Sequence, residues 1–338
     1  MTKEANIFYV TSPFQYLCAL EAVQTLCEPD STHLLVLEVD DTAVGMKQLE
    51  SLIAQNQWHH IFRLTTGNRT INTPIVIREI KNYLNRQRLV VNYFGYAEFT
   101  SWRINLIKEN IAHSRPLYFD DGTLSLVEFE TFIKPKKPYQ RTRLFNDLLL
   151  RLQGTHPIGS ADFPKNLTLF SLFDFSNSHF NYVENTFSAL KSRFDKHEIY
   201  RADAPIAFIG QGAIDHKNMK PLSVYKKEVE QAIQLTHNNR LTYFPHRNEE
   251  NHVRQAISSI EGVVYHDSIF PLEYEALFNK LSFSRLIAPY STALFSLKKL
   301  SPKLPITFLK EEVNSFGKQL IAAEIKRYNI ADEEQTLF

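Results

Sequence analysis

With 338 residues the chain exceeds what one ordinary core organises and suits two domains. Its 43% hydrophobic and 12% aromatic content, with only ten glycines and fifteen prolines, excludes a disordered or fibrous chain. A formal net charge of +1 supplies no overall field for a polynucleotide, so no nucleic-acid partner is expected, while a nucleotide-sized ligand is compatible.

The opening MTKEANIFYV carries Glu4 beside a short apolar run that gives way to Thr11 and Ser12, so it reads as a first strand and not as a signal peptide. Short β-rich runs then alternate with longer amphipathic ones. Asn6 to Val10 precedes Phe14 to Cys27, His33 to Val39 precedes Val44 to Gln57, and Leu89 to Phe94 precedes Thr100 to Ala112. Such alternation predicts parallel strands joined by crossover helices. Cys18 and Cys27 fall in one predicted helix, which leaves them as core thiols of a reducing compartment.

Pro116 to Phe119 reads as another strand. From Phe129 to Arg143, prolines and the cations Lys134, Lys136, Lys137, Arg141 and Arg143 predict an exposed loop. Residues 163 to 182, rich in Phe, Asn and Ser, read as irregular. The rhythm resumes at Pro205 to Gly210 and continues through Leu222 to His237, Arg240 to Phe244, Glu249 to Ser259 and Gly262 to Tyr265. Leu272 to Asn279, Phe283 to Ala288, Ala293 to Leu300, Ile306 to Leu309 and a last helix from Val313 to Tyr328 complete it. The expected architecture is α/β, two Rossmann-like domains facing a central cleft, residues 1–195 and 196–338, joined near 193 to 204. No run approaches the about eighteen apolar residues that span a bilayer. A cytoplasmic location is expected, with any work at the inner membrane done as a peripheral visitor.

Ligands of open parallel sheets bind beyond the carboxyl ends of strands, so the polar residues there carry the candidate chemistry. Thr11, Ser12, Pro13, Phe14 and Gln15 follow the first strand. Asp120, Asp121 and Gly122 follow Pro116 to Phe119; such a pair before a glycine either caps turn amides or offers a carboxylate that removes a proton from a sugar hydroxyl. His246 and Arg247 follow Leu241 to Phe244, where imidazole and guanidinium suit a phosphate as well as a surface turn. Ser291 and Thr292 stand before an apolar helix, as an N-cap, as an anion site, or as both. Gly210, Gln211 and Gly212 allow close backbone approach to a ligand without completing a dinucleotide fingerprint. The phosphate-loop, zinc and nucleophile-elbow motifs are missing, as is a clear DxD pair, so catalysis without metal or cofactor is expected.

In this order, Asp120-Asp121-Gly122, Pro245-His246 and Ser291-Thr292, with the Thr11 to Gln15 turn, resemble the bacterial GT-B sialyltransferases, most closely the lipooligosaccharide sialyltransferases of glycosyltransferase family 52. One departure is that Pro245 precedes His246 and Arg247 stands where that family has proline. The resemblance implies an inverting, metal-independent transfer of sialic acid or a related nonulosonic acid from a CMP-sugar to a saccharide acceptor. It implies Asp121 as general base in an N-terminal acceptor domain, with Ser12, Pro13, Gln15, Asp120 and Gly122 around it. A C-terminal donor domain would hold the phosphate on His246, Ser291 and Thr292, beside Gly210, Gln211, Gly212 and Arg247, with Glu273 gripping the ribose or base.

Overall fold

The computed structural model describes residues 3–39, 44–194, 197–217, 219–236, 238–309 and 315–332. The expected domain join at 195 and 196, the predicted helix end at His237 and helix start at Val313 lie outside these residues. The chain divides into two compact units. The first runs to Asn185, apart from Ala43–Ser51, which groups with the second, and the second continues from Thr186.

In chain order the elements begin with β1 (Lys3–Val10), α1 (Pro13–Leu26), β2 (Thr32–Val39), α2 (Val44–Ala54), β3 (His60–Thr65), α3 (Arg69–Gln87), β4 (Leu89–Tyr96), α4 (Trp102–Asn110) and β5 (His113–Phe119), all in the first unit except most of α2, which groups with the second. After them come α5 (Leu124–Glu128), which runs into a π-helical turn (Phe129–Ile133), then β6 (Tyr139–Arg141), α6 (Leu144–Leu152), β7 (Gly159–Ala161), β8 (Thr168–Ser171) and β9 (Asn181–Glu184). Seven strands form a parallel sheet in the order β3-β2-β1-β4-β5-β8-β9. Ile7 to Val10 and Leu34 to Leu37 are fully buried. Continuous apolar runs of this kind mark parallel strands covered on both faces by their crossover helices.

The second unit holds α7 (Ser188–Arg193), β10 (Ile206–Ile209), α8 (Leu222–Gln234), β11 (Leu241–Phe244), α9 (Asn251–Ser258), β12 (Val263–Tyr265), α10 (Leu272–Phe278), β13 (Arg285–Ala288), α11 (Ala293–Leu300), β14 (Ile306–Phe308), α12 (Phe316–Arg327) and β15 (Ala331–Asp332). Its six strands are again parallel, in the order β12-β11-β10-β13-β14-β15. Phe208, Tyr225, Tyr243, Val253 and Ile287 pack one side of this sheet. Both units are therefore Rossmann-like, as the alternating pattern predicts. Among the described residues no helix is long and apolar enough to cross a membrane, and Cys18 and Cys27 form no disulfide.

Two stretches differ from their predicted form. The segment expected as an exposed loop, Phe129 to Arg143, begins with a π-helical turn that buries Phe129 and Ile133 and ends in β6, which pairs antiparallel with β7. Its prolines and lysines confine the loop to the few residues between. The stretch expected as irregular contains β8, all four of whose residues are buried between β5 and β9. Its uninterrupted apolar run is only two residues long, Leu169 and Phe170 between Thr168 and Ser171, too short to show a period.

If β8 is a central strand, Phe170→Ala removes a fully buried ring and lowers stability by about 3–5 kcal/mol. Urea unfolding of the first unit's transition measures this, and a loss within about 0.5 kcal/mol would return the segment to a surface loop.

Candidate active site

The strand order of the first unit reverses between β1 and β4, and ligands of such sheets bind at that switch point, beyond the carboxyl ends of the strands. Three loops meet there, after β1, β4 and β5. Ser12 is buried and caps α1, its Oγ accepting from the Gln15 N–H at 3.2 Å, while Pro13 occupies the first helical turn, where its missing N–H costs nothing. These two residues build the helix start. Gln15 is left pointing into the site, 1% exposed.

Gln15 Oε1 accepts from the Thr11 N–H at 2.8 Å, which turns its amide nitrogen outward. That nitrogen donates to Asp121 Oδ1 at 2.8 Å and to Glu98 Oε1 at 3.3 Å. Thr11 Oγ1 also lies 2.9 Å from Glu98 Oε1. Two carboxylates from two different strand ends thus face one amide. Glu98 follows β4 by the same strand-end logic that selects Asp121, and the residues Ala97-Glu98-Phe99 hide it among apolar neighbours.

The two aspartates have separate fates. Asp120 is fully buried, with Ser171 Oγ donating to Oδ1 at 2.6 Å and the Leu172 N–H to Oδ2 at 2.7 Å. It ties the end of β5 to the end of β8. Asp121 stays partly exposed, its N–H donating to Ser125 Oγ at 2.9 Å. Gly122 follows with φ of +65°, a conformation in which a side chain would be strained, so the chain turns away and leaves Asp121 at the surface of the loop.

Glu128, at the end of α5, holds the arrangement from below. Its carboxylate accepts from the Phe99 N–H at 2.8 Å, the Thr100 N–H at 3.1 Å, Thr100 Oγ1 at 3.0 Å and Tyr118 OH at 2.8 Å. Burial raises its pKa, and those four bonds oppose the rise.

In the second unit the order reverses between β10 and β13. β10 lies between β11 and β13, so the strands that lead into these three loops are neighbours, about 10 Å from first to last. Gly210 donates its N–H to Phe244 O at 2.7 Å, joining the first two loops. A Cβ on Gly212 would lie 2.6 Å from His246 Nδ1 and 2.7 Å from Cε1, so only glycine lets the imidazole rest against this loop. His246 Nδ1 accepts from the Asn248 N–H at 3.1 Å, which assigns the ring proton to Nε2. Burial, aided by the neighbouring Arg247 charge, pushes the His246 pKa down to about 4, so the ring is neutral at physiological pH.

A chain of phenols fixes these loops. The Gln211 N–H donates to Tyr225 OH at 3.0 Å, Tyr225 OH lies 2.8 Å from Tyr243 OH, and Tyr243 donates to Glu249. Tyr265 donates to the other oxygen of Glu249 at 2.6 Å. The side-chain Oε1 of Gln211 is buried and has no hydrogen-bond partner among the described residues.

Ser291 Oγ accepts from the Ala293 N–H at 3.3 Å and so turns the chain into α11, at whose start Thr292 stands. The next amides close the same turn, the Leu294 N–H donating to Ser291 O at 3.3 Å and the Phe295 N–H to Thr292 O at 3.0 Å. Glu273 lies in the first turn of α10, 5% exposed, and accepts from Ser296 Oγ at 2.5 Å. Desolvation raises its pKa, and Arg247 is close enough to oppose that with its charge. The geometry brings Gly210 and Gly212 against the His246 turn, Arg247 acts on His246 and Glu273 through its charge, and Ser296 joins Glu273 to the first turn of α11. An open cavity of about 680 Å³ elsewhere, lined by Arg115, Lys136, Phe163 and Phe180, lies at the opposite end of the first sheet and is separate from these loops.

No family model matches the chain, and no curated protein matches it either. Solved structures do. A sialyltransferase from Photobacterium damsela is 13% identical, with 98% of this chain and 82% of that chain covered at a TM-score of 0.52. A putative UDP-N-acetylglucosamine 2-epimerase from Listeria monocytogenes is 12% identical, covers 99% of this chain and 90% of its own, and has a TM-score of 0.56. A UDP-glucose:anthocyanidin 3-O-glucosyltransferase in complex with UDP is 12% identical, with 99% and 86% covered and a TM-score of 0.51. The shared architecture is the GT-B fold.

The depressed His246 pKa has a stability consequence. The unfolded chain takes up this proton near pH 6.5 and the folded one only near 4, so the unfolded state gains protons first as pH falls. Stability of the second unit therefore declines between those values and levels off below them. NMR titration of the His246 ring should give a midpoint near 4, rising when inorganic phosphate binds; a midpoint near 6.5 without phosphate would contradict the desolvated placement.

Proposed function

We propose that the chain is a glycosyltransferase that moves a sialic-acid-type sugar from a CMP-linked donor to a saccharide acceptor, with inversion and without a metal. The observation that carries this reading is the pair of switch-point sites. One presents a positioned carboxylate, Asp121, and the other a set suited to a phosphate, His246, Arg247 and the Ser291-Thr292 helix start. The order of these motifs along the chain, which resembles glycosyltransferase family 52, supports the donor assignment.

In this mechanism Asp121 takes the proton of the acceptor hydroxyl as its oxygen attacks the anomeric carbon. Gln15 orients the carboxylate, and Glu98 shares the acceptor side. The bond from the anomeric carbon to the CMP phosphate oxygen breaks with its electron pair left on the phosphate. His246, neutral before the reaction, donates a hydrogen bond through Nε2–H to that phosphate, and the bond strengthens as negative charge accumulates on the phosphate oxygen. Arg247 and the hydroxyls of Ser291 and Thr292 stabilise the same charge, which is the task a divalent cation performs in other sugar transferases. Gly210, Gln211 and Gly212 line the donor side, and Glu273 with Ser296 supports it. Residues 1–195 serve the acceptor and 196–338 the donor.

A second reading is a UDP-sugar enzyme, either a transferase or a 2-epimerase. The likeness in fold to the Listeria protein and to the UDP-bound glucosyltransferase favours it. A nucleotide-binding protein without catalysis is a third.

Calorimetric titration with CMP, UDP and GDP, in the presence of EDTA, separates these readings. CMP should bind at least about tenfold more tightly than UDP, and His246→Ala should weaken CMP by about tenfold, the worth of one charge-assisted hydrogen bond. Tighter binding of UDP would establish the second reading instead, and a requirement for metal would remove the metal-free mechanism.

A further inference from the structure

Helix α6 wears its apolar stripe on the outside. At about 100° per residue, Leu144, Phe145, Leu148 and Leu152 fall within one arc of about 100°. They are 85%, 72%, 54% and 75% exposed, while Leu150, on the opposite side, is fully buried and pins the helix to its unit. Isolated surface leucines need no explanation, but four large apolar side chains on a single helical face mark an interaction surface.

The charge around this face is concentrated. Between residues 129 and 152 there are six Lys or Arg and two Asp or Glu, in a chain whose formal net charge is only +1. The acids are engaged: Glu130 pairs with Lys134 at 2.8 Å, and Asp147 accepts from the Arg143 N–H at 3.1 Å. Lys136, Lys137 and Arg141 rest over the rings of Phe180, Phe132 and Trp102, contacts that orient the cations without neutralising them. Arg143, at the start of the helix, and Arg151, near its end, are both exposed and flank the apolar stripe.

An apolar helical face bordered by cations matches a surface that is apolar inside and anionic outside. A second copy of the chain fits it less well, because a two-fold interface would set the same cations against one another. We infer that α6 and the basic segment before it dock the protein on bilayers containing anionic lipid. Leu144, Phe145, Leu148 and Leu152 enter the boundary between headgroups and acyl chains, and the flanking cations meet lipid phosphates. This inference does not depend on the sugar-transfer reading, since its test involves no nucleotide and no turnover.

The full chain is sedimented with vesicles of phosphatidylcholine alone or mixed with phosphatidylglycerol. Binding to the mixed vesicles should be at least about tenfold tighter and should weaken as salt is raised. The double variant Phe145→Gln with Leu148→Gln should lose about tenfold or more of that binding. Charge reversal at Arg143→Glu with Arg151→Glu should do the same, and it serves as the reading should the apolar variant fail to fold. Melting followed by circular dichroism should stay within a few degrees of the parent for the charge variant, whose altered side chains are exposed. Absence of binding to either vesicle, equal binding to both, or a dimer in solution that the apolar variant disperses would each overturn the inference.

Discussion

A carboxylate taken out of water must be met by donors, and Glu128 is where the first unit satisfies that demand. Its four bonds run to the chain leaving β4 and to Tyr118 on β5, so one buried group joins two neighbouring strand ends. Parallel strands lie side by side, but nothing in strand pairing sets the course of the loops beyond them. Glu128 does that by holding Phe99 and Thr100, the two residues after Glu98, while Asp120 anchors the loop on the far side of β5 through Ser171 and Leu172. Between these anchors Asp121 has little freedom except toward Gln15. Removing either anchor would leave buried donors without partners, a cost on the order of 1–3 kcal/mol for each.

The second unit solves the same problem with phenols. Glu249 accepts from Tyr243 and Tyr265, and the chain of hydroxyls runs on through Tyr225 to the backbone of Gln211. Burial raises the pKa of Glu249, while its bonds to Tyr243 and Tyr265 and the charge of Arg254 oppose that rise. The glycine loop after β10 is thereby fixed against the turn after β11, and the His246 ring lies on Gly212 in a dry setting. A neutral imidazole held in that way is ready to respond to a dianion, because a phosphate would reverse the electrostatic balance that now favours the unprotonated ring.

Much of the architecture was legible from hydrophobic runs. β1, β2, β10, β11 and β13 are short apolar stretches bounded by polar turns, and their alternation with helices points to parallel sheets. The site loops were legible for the same reason, since each follows such a run. Glu98 escaped because its strand end, Phe94 to Phe99, stays largely aromatic and shows no polar break. β3 and α3 escaped because His60 to Thr65 is half exposed and because Pro74 and a polar surface dilute the helical period. The partners that hold the site, Ser171, Tyr225, Tyr243 and Glu128, reach it from elements distant in sequence, and only the folded chain joins them. α6 is the opposite case. Leucines crowd both of its faces, Leu148, Leu149 and Leu150 in succession, and a sequence cannot say whether an apolar face looks inward or outward.

The central claim is that Asp121 serves a transfer from a CMP-linked sugar. The most direct measurement is the initial rate of sugar transfer from CMP-linked sialic acid to a panel of saccharide acceptors, for the parent and for Asp121→Asn, with CMP affinity measured alongside. Loss of a general base predicts a fall of about 10²- to 10⁴-fold in transfer with CMP affinity unchanged. Transfer by Asp121→Asn at the parental rate would contradict the account.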